Sequence, residues 1–169
     1  MTATLAQALT ALIADPAAPV DLGMLPYTRF LGLSGTQADD GLIITMPFSP
    51  ALVGSPSPAR LHGGTVGALL EAAAAFTLCL ALIERGQVIR SLPKSISLTV
   101  EYLRPGREVD THAIARITRL GRRIANLRAE AWQQDRDRLV ATAHINLLID
   151  SIGDAPQWID DDGGPGTMI

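Results

Sequence analysis

Two features of this 169-residue chain combine residue types that could do chemistry. The tripeptide His62-Gly63-Gly64 precedes a long apolar run, Thr65 to Ile83, in which Glu71 is the only charge. If the run is a helix, the tripeptide lies at its N-terminus, where backbone N–H groups lack intrahelical partners and the helix dipole is positive. Such a terminus can stabilise an oxyanion, and glycines let a ligand carbonyl approach the backbone closely. The same glycines would also let a helix pack tightly on a sheet, so both interpretations stand.

The position of Glu71 indicates a specific use. An Ala-rich helix that is apolar all round is predicted to be buried all round, and Glu is rarely buried. Burial disfavours the charged carboxylate and makes it a stronger base, which suits a general base or a nucleophile. The alternative is an inert structural Glu that is hydrogen-bonded to a strand.

The spacing of Gly63 and Glu71 adds a constraint. A separation of eight residues corresponds to about 12 Å along a helix, so one ligand carbonyl cannot easily contact both residues of one chain. Two antiparallel helices related by a two-fold axis would bring Gly63 of one copy near Glu71 of the other. The spacing therefore predicts two equivalent active sites at the interface of a homodimer.

The remaining elements predict a sheet that packs on this helix. Ser95 to Leu103 alternates polar and apolar residues, which is typical of a half-buried strand. The last four predicted strands, 95–103, 109–120, 122–133 and 139–149, are expected to form an antiparallel meander. Upstream we expect a hairpin of strands 31–34 and 41–48 and then an irregular, proline-containing loop over 49–60. The predicted fold class is α+β, an antiparallel sheet wrapped around one long central helix.

The chain divides into three predicted parts. Residues 1–22 hold an N-terminal helix, over 4–14, and a linker; residues 23–150 form the main domain; residues 151–169, rich in Gly and Asp, form a flexible tail. The helix over 4–14 is expected to be peripheral.

Composition excludes several classes of function. With 14 basic and 17 acidic residues the net charge is -3, which provides no general field for nucleic acid. The one cysteine, Cys79, cannot form an internal disulfide and is assigned to packing. The three histidines, His62, His112 and His144, are too scattered to suggest a metal site, and no cofactor is predicted.

The apolar run is long enough to span a bilayer, but a carboxylate near its middle would cost about 2.5 to 3.5 kcal/mol there. A buried helix of a soluble, cytoplasmic protein is therefore favoured over a membrane span. The N-terminal segment also lacks the basic residues of a secretory signal.

The turn Gly121-Arg122-Arg123 forms a local basic patch. Guanidinium groups are planar, permanently charged donors that suit phosphate, although a solvated hairpin turn would have the same composition.

These motifs together resemble the hotdog-fold acyl-CoA thioesterases of the phenylacetate-pathway and 4-hydroxybenzoyl-CoA type. The resemblance covers about residues 31–149 and rests on His62-Gly63-Gly64 with Glu71 nine residues after the histidine, and on the segments Thr99 to Gly106 and 121–123. It implies a hotdog fold, a homodimer or homotetramer with active sites at the dimer interface, and hydrolysis of an acyl-CoA thioester to a free acid and CoA.

The resemblance also implies roles for single residues. The Gly63 N–H would polarise the thioester carbonyl, Glu71 of the partner subunit would activate water or attack directly, and His62 would position the loop or the carbonyl. Ser95 would lie near the water, and Arg122 and Arg123 would hold the CoA phosphates.

The chain departs from the family pattern in one loop. Some relatives carry an Asn six residues before the histidine, where this chain has Pro56, and Ser57 is the candidate substitute. A non-catalytic acyl-CoA-binding protein and a hotdog dehydratase are the alternatives to a thioesterase.

Overall fold

The computed structural model describes residues 4–87, 89 and 91–149; the predicted tail, 151–169, lies outside them. In chain order the elements of the described residues are α1 (Leu5–Ala14), β1 (Val20–Asp21), α2 (Pro26–Phe30), β2 (Ser34–Ala38), β3 (Gly41–Met46), a 3-10 turn (Pro50–Leu52), β4 (Val53–Pro56), β5 (Ala59–Leu61), α3 (Gly63–Glu84), β6 (Lys94–Tyr102), β7 (Thr111–Leu120), β8 (Ile124–Trp132) and β9 (Ala141–Leu148).

Seven strands form one antiparallel sheet in the order β1-β2-β3-β7-β8-β9-β6. The long helix α3 packs on five of these strands, which confirms the predicted sheet around one central helix. The predicted four-strand meander is wrong in one respect, because β6 pairs with β9 at the far edge while β7 pairs with β3. The connection 103–110 is too long for a tight hairpin and carries the chain across the end of the sheet.

The N-terminal helix is confirmed, but it is not peripheral. Thr4 forms a capping box with Gln7, which sets the start of α1. Leu9 and Leu12 are fully buried in the same core cluster as α3. Gly35 makes room for this contact, since a Cβ there would lie 3.3 Å from Leu12 Cδ2.

Two upstream predictions need correction. The first strand of the hairpin begins at Ser34 rather than ending there. The helix α2 occupies the chain up to Phe30, and Gly32, with φ of 66°, then reverses the chain direction before the strand. The segment 49–60 is not an irregular loop but a 3-10 turn followed by the small hairpin β4–β5. Its prolines occupy the first position of the turn and the tip of the hairpin, where no ladder hydrogen bond is lost.

The helix α3 is the core helix of the domain. By length and composition it could cross a membrane, but 72% of its most apolar window is buried inside the protein. The prediction that this helix is buried all round is wrong. Gly64 is exposed, and Ala68, Glu71 and Ala72 are only half-buried. These four residues recur at helical spacing and so form one stripe, which we call the open stripe of α3.

The edge strand β6 runs past this stripe and is equally uncovered. Ile96, Leu98 and Tyr102 are 54%, 37% and 55% exposed, and Leu103 just after the strand is exposed as well. The free edge and the open stripe together form one apolar surface that the described residues leave uncovered.

Candidate active site

The start of α3 separates the roles of its two glycines. His62 is the N-cap, and its Nδ1 accepts a hydrogen bond of 2.9 Å from the Gly64 N–H. A Cβ at Gly64 would lie 2.9 Å from that same nitrogen, so glycine is required for the cap. No hydrogen bond reaches the Gly63 N–H within the described residues, which leaves it as the open donor. Because Nδ1 is an acceptor, the neutral His62 ring carries its proton on Nε2.

Tyr102, at the end of β6, is a site residue to which sequence reasoning gave no role. Its hydroxyl donates a hydrogen bond of 2.7 Å to the Gly63 carbonyl, and a Cβ at Gly63 would lie 3.2 Å from its ring. A cavity of about 310 Å³ opens beside this contact and is also lined by Val66 and Gly106. The aromatic residue before Arg104-Pro105-Gly106 was the available signal, but only the fold brings it to the helix start.

Glu71 lies two turns further along α3, on the open stripe. Its Oε1 accepts a hydrogen bond from the hydroxyl of Ser95, at the start of β6. The carboxylate is half-buried rather than buried, since Ser95 is exposed and none of the residues that the structure describes covers the open stripe. The structure thus brings together two of the predicted residues, Glu71 and Ser95.

The two groups do not meet within one chain. Gly63 and Glu71 belong to the same regular helix, so about 12 Å of helix separates them. Each end of β6 contacts one of them, Tyr102 at Gly63 and Ser95 at Glu71.

The predicted basic patch lies at the Ser95 end of the sheet. Arg122 and Arg123 are exposed in the β7–β8 turn and line an open cavity of about 510 Å³ with Arg119, Asn126 and Asn146. Ile124 pairs with Leu148, which pairs with Lys94, so the turn lies two strands, or about 10 Å, from the start of β6.

Ser57 is exposed at the tip of the β4–β5 hairpin. In the described part of the chain, no hydrogen bond joins it to His62 or Gly63. Its proposed contact with the substrate therefore stays a prediction.

The other titratable candidates lie away from this site. Burial raises the pKa of the Cys79 thiol to about 12, so this side chain packs and is a poor nucleophile. His112 shares a hydrogen bond of 2.9 Å with Thr45 Oγ1, and burial lowers its pKa. Among the described residues there is no cluster of three or more metal-ligating side chains.

The class of this protein follows from the fold and from a family comparison. A family model described as the acyl-CoA thioesterase N-terminal domain matches residues 54–147, more than half of the chain. The chain therefore belongs to this thioesterase family, and its sheet wrapped around a helix is the hotdog fold. It is a thioester hydrolase.

Curated relatives are more specific in name. The medium/long-chain acyl-CoA thioesterase YigI of Salmonella typhimurium is 28% identical over 134 residues, which is 74% of this chain and 86% of the relative. The protein of the same name from Escherichia coli K12 is 26% identical over the same length.

Solved structures agree on the fold. A protein from Chromobacterium violaceum is 34% identical, with a TM-score of 0.57 over 76% of this chain and 86% of that one. The BH2602 protein of Bacillus halodurans, solved with CoA, has a TM-score of 0.62 at 17% identity and covers 86% of this chain and 89% of its own. At that identity the likeness is one of fold alone.

Proposed function

We propose that this chain hydrolyses medium- or long-chain acyl-CoA thioesters, with Glu71 as the general base or nucleophile and the Gly63 N–H as the oxyanion donor. The observation that carries the proposal is the pairing of Glu71 with Ser95 on the open stripe, in a fold whose helix start leaves one N–H unused. The chain length of the acyl group follows the names of the curated relatives.

The reaction needs few groups. In the general-base form, Glu71 takes a proton from water while the hydroxide attacks the carbonyl carbon, and the carbonyl oxygen becomes an oxyanion held by the Gly63 N–H. The C–S bond then breaks, the proton passes to the departing thiolate, and free acid and CoA leave. In the nucleophilic form, Glu71 attacks the same carbon, CoA leaves, and water hydrolyses the mixed anhydride.

Ser95 orients the carboxylate in either form. Its hydroxyl occupies one lone pair of Oε1 and leaves the rest of the carboxylate to face water or the carbonyl carbon. His62 holds the backbone of the helix start through its contact with Gly64, and Gly64 gives the substrate room there.

A second copy of the chain completes the site. Antiparallel pairing of two β6 edges about their midpoint, Leu98, places Lys94 of one strand opposite Tyr102 of the other. Glu71 and Ser95 would then lie beside Gly63 of the partner subunit, and the dimer would contain two equivalent sites. The free edge and the open stripe support this arrangement, because both present apolar surface that no other described part of the chain covers.

Residues outside the catalytic groups bind the CoA part of the substrate and contact it from the loop before α3. Arg122 and Arg123 lie at the Ser95 end of the sheet and are placed to pair with CoA phosphates. Ser57, at the hairpin tip, is the candidate for a contact with the substrate from the loop before His62.

Removing the charge of Glu71 tests the reaction. Thiol release from decanoyl-CoA should fall at least about 100-fold in Glu71→Gln, because a positioned base contributes that much or more. Glu84→Gln, at the exposed end of the same helix, is the matched control and should retain the activity of the parent. Unchanged turnover in Glu71→Gln would exclude the proposed role, and tight binding without turnover in the parent would favour a non-catalytic acyl-CoA-binding protein.

Mixing two inactive variants tests the shared site. Gly63→Pro removes the N–H donor, and Glu71→Gln removes the base. In a mixed dimer, one of the two sites would combine an intact Gly63 with an intact Glu71, so random mixing should recover about a quarter of the parent activity. A site built within one chain would recover none.

A further inference from the structure

Four arginines converge on a second cavity, at the Gly63 end of the sheet. Arg60 comes from β5, Arg104 and Arg107 from the β6–β7 connection, and Arg138 from the β8–β9 connection. They line a cavity of about 200 Å³, which we call the four-arginine cavity, and among the described residues Asp135 is the one carboxylate that lines it with them. Like charges gathered from three separate segments repel one another unless an anion lies between them.

These guanidinium groups form no ion pair with any described residue. Within the described residues, no carboxylate oxygen lies within 4.0 Å of any of the four, whereas Arg116 and Arg136 both pair with Asp40 elsewhere on the sheet. Arg104 donates to the Leu139 carbonyl and Arg60 to the Ala59 carbonyl, each through Nη1. Because a guanidinium has five N–H donors, most of the donors in the cavity remain available to a ligand.

The backbone around the four-arginine cavity is held in place. The Gln133 side chain accepts from the Arg107 N–H at 3.0 Å and donates to the Arg107 carbonyl at 3.0 Å. The Leu61 N–H donates to the Gly106 carbonyl, and a Cβ at Gly106 would lie 3.1 Å from the Leu61 side chain. The donors are therefore carried by loops whose course is fixed before any ligand binds.

This cavity adjoins the one beside the proposed oxyanion donor. Arg104, Pro105 and Val140 line both the four-arginine cavity and the cavity that contains Gly63 and Tyr102. A ligand whose carbonyl lies at Gly63 can therefore extend into the four-arginine cavity without crossing the core.

We propose that the four-arginine cavity binds phosphates of the nucleotide end of CoA, an inference that rests on the proposed function. CoA carries a diphosphate and a separate 3′-phosphate, so one molecule has two anionic centres to be matched. In the shared-site arrangement, the four-arginine cavity belongs to the subunit that supplies Gly63, and Arg122 and Arg123 belong to the subunit that supplies Glu71. Each basic cluster can then hold a different phosphate of the same CoA molecule, through the paired N–H donors that guanidinium groups direct at phosphate oxygens.

Binding of adenosine 3′,5′-bisphosphate, measured by calorimetry, tests this site without any turnover. The double variant Arg107→Ala/Arg138→Ala removes two exposed guanidinium groups and should raise the Kd at least about tenfold, equivalent to about 1.4 kcal/mol. The control, Arg29→Ala/Arg85→Ala, makes the same change in net charge at two exposed arginines that line neither cavity, and it should leave the Kd within about twofold of the parent.

Kinetics separate this inference from the proposed function. In Arg107→Ala/Arg138→Ala, KM should rise for decanoyl-CoA but not for the decanoyl thioester of N-acetylcysteamine, which lacks the nucleotide. The four-arginine site would be overturned, while hydrolysis by Glu71 stands, by any of three results. These are an unchanged Kd in this variant, an equal rise of Kd in the control, and binding that is lost in Arg122→Ala/Arg123→Ala but retained in Arg107→Ala/Arg138→Ala. A parent that binds the bisphosphate through these arginines but releases no thiol would instead overturn the proposed reaction.

Discussion

Replacing Gly63 by proline removes the N–H that we propose as the oxyanion donor while keeping the helix that carries it. Gly63 is the first residue of α3, and its N–H has no partner in the described structure. Proline is favoured at this position, because the missing N–H would be unsatisfied in any case. The residue before a proline must be extended, and His62 already has ψ of 130°.

The cost to stability should be small. The added Cβ would lie 3.2 Å from the Tyr102 ring, which is 55% exposed and free to shift by a few tenths of an ångström. Proline also restricts the unfolded chain, which offsets about 0.4 to 1 kcal/mol. The melting temperature should therefore stay within about 4 °C of the parent, since about 1 kcal/mol moves it by that much or less in a domain of this size.

The effect on catalysis should be large. Loss of one oxyanion donor costs about 100- to 1000-fold in kcat, or about 2.7 to 4 kcal/mol. Gly63→Ala is the matched control, since it places the same Cβ against Tyr102 but keeps the N–H. The assay is kcat for thiol release from decanoyl-CoA, measured for both variants together with a thermal melt. If folded Gly63→Pro turns over within about threefold of Gly63→Ala, the Gly63 N–H is not the oxyanion donor.

Two further predictions concern the hydrogen bond between Ser95 and Glu71 and the titration of His112. Ser95→Ala should lower kcat by about tenfold, because Glu71 loses its hydrogen-bond donor, and Ser95→Thr should restore kcat because it keeps the hydroxyl. Ser97 lies on the opposite face of β6, so Ser97→Ala should leave kcat unchanged. Equal losses of kcat in both alanine variants would contradict the role of Ser95. Burial lowers the pKa of His112 below 6.5, so the buried neutral imidazole contributes its full stability above that pH and loses it as the pH falls through the folded pKa. The free energy of unfolding, measured with urea, should therefore decrease below pH 6.5, and the decrease should be smaller in His112→Gln. Identical pH profiles in the two proteins would contradict this.

Local patterns predicted the elements better than the contacts between them. The apolar run and the alternating strands follow from periodicity, and α3 and β7 to β9 confirm them. The place of β6 at the far edge depends on pairing with β9, a long-range choice that local alternation does not encode. The hairpin β4–β5 was missed because its prolines are typical of loops, although they sit where a hairpin tolerates them.

The same limit applies to the candidate site. His62, Gly63 and Glu71 are recognisable in the sequence because they lie on one helix with meaningful spacing. The contact of Tyr102 with Gly63 joins residues 39 positions apart, and the four-arginine cavity draws on three segments, so neither follows from spacing along the chain. The partial exposure of Glu71 depends on what covers α3, which the sequence of one chain does not describe.

The edge strand β6 bears on the proposal that the site is shared between two copies of the chain. Natural sheets protect a free edge with prolines or with charges along its length, because an open row of N–H and C=O groups pairs readily with another strand. From Ser95 to Val100, β6 has neither a proline nor a charged residue, and its exposed side chains include Ile96 and Leu98. The described edge therefore lacks the features that usually keep a free strand from pairing, which supports the proposed pairing with a second copy. Its two ends contact Glu71 and Gly63, so pairing this edge with a second copy would cover the open stripe and assemble the proposed catalytic groups in one event.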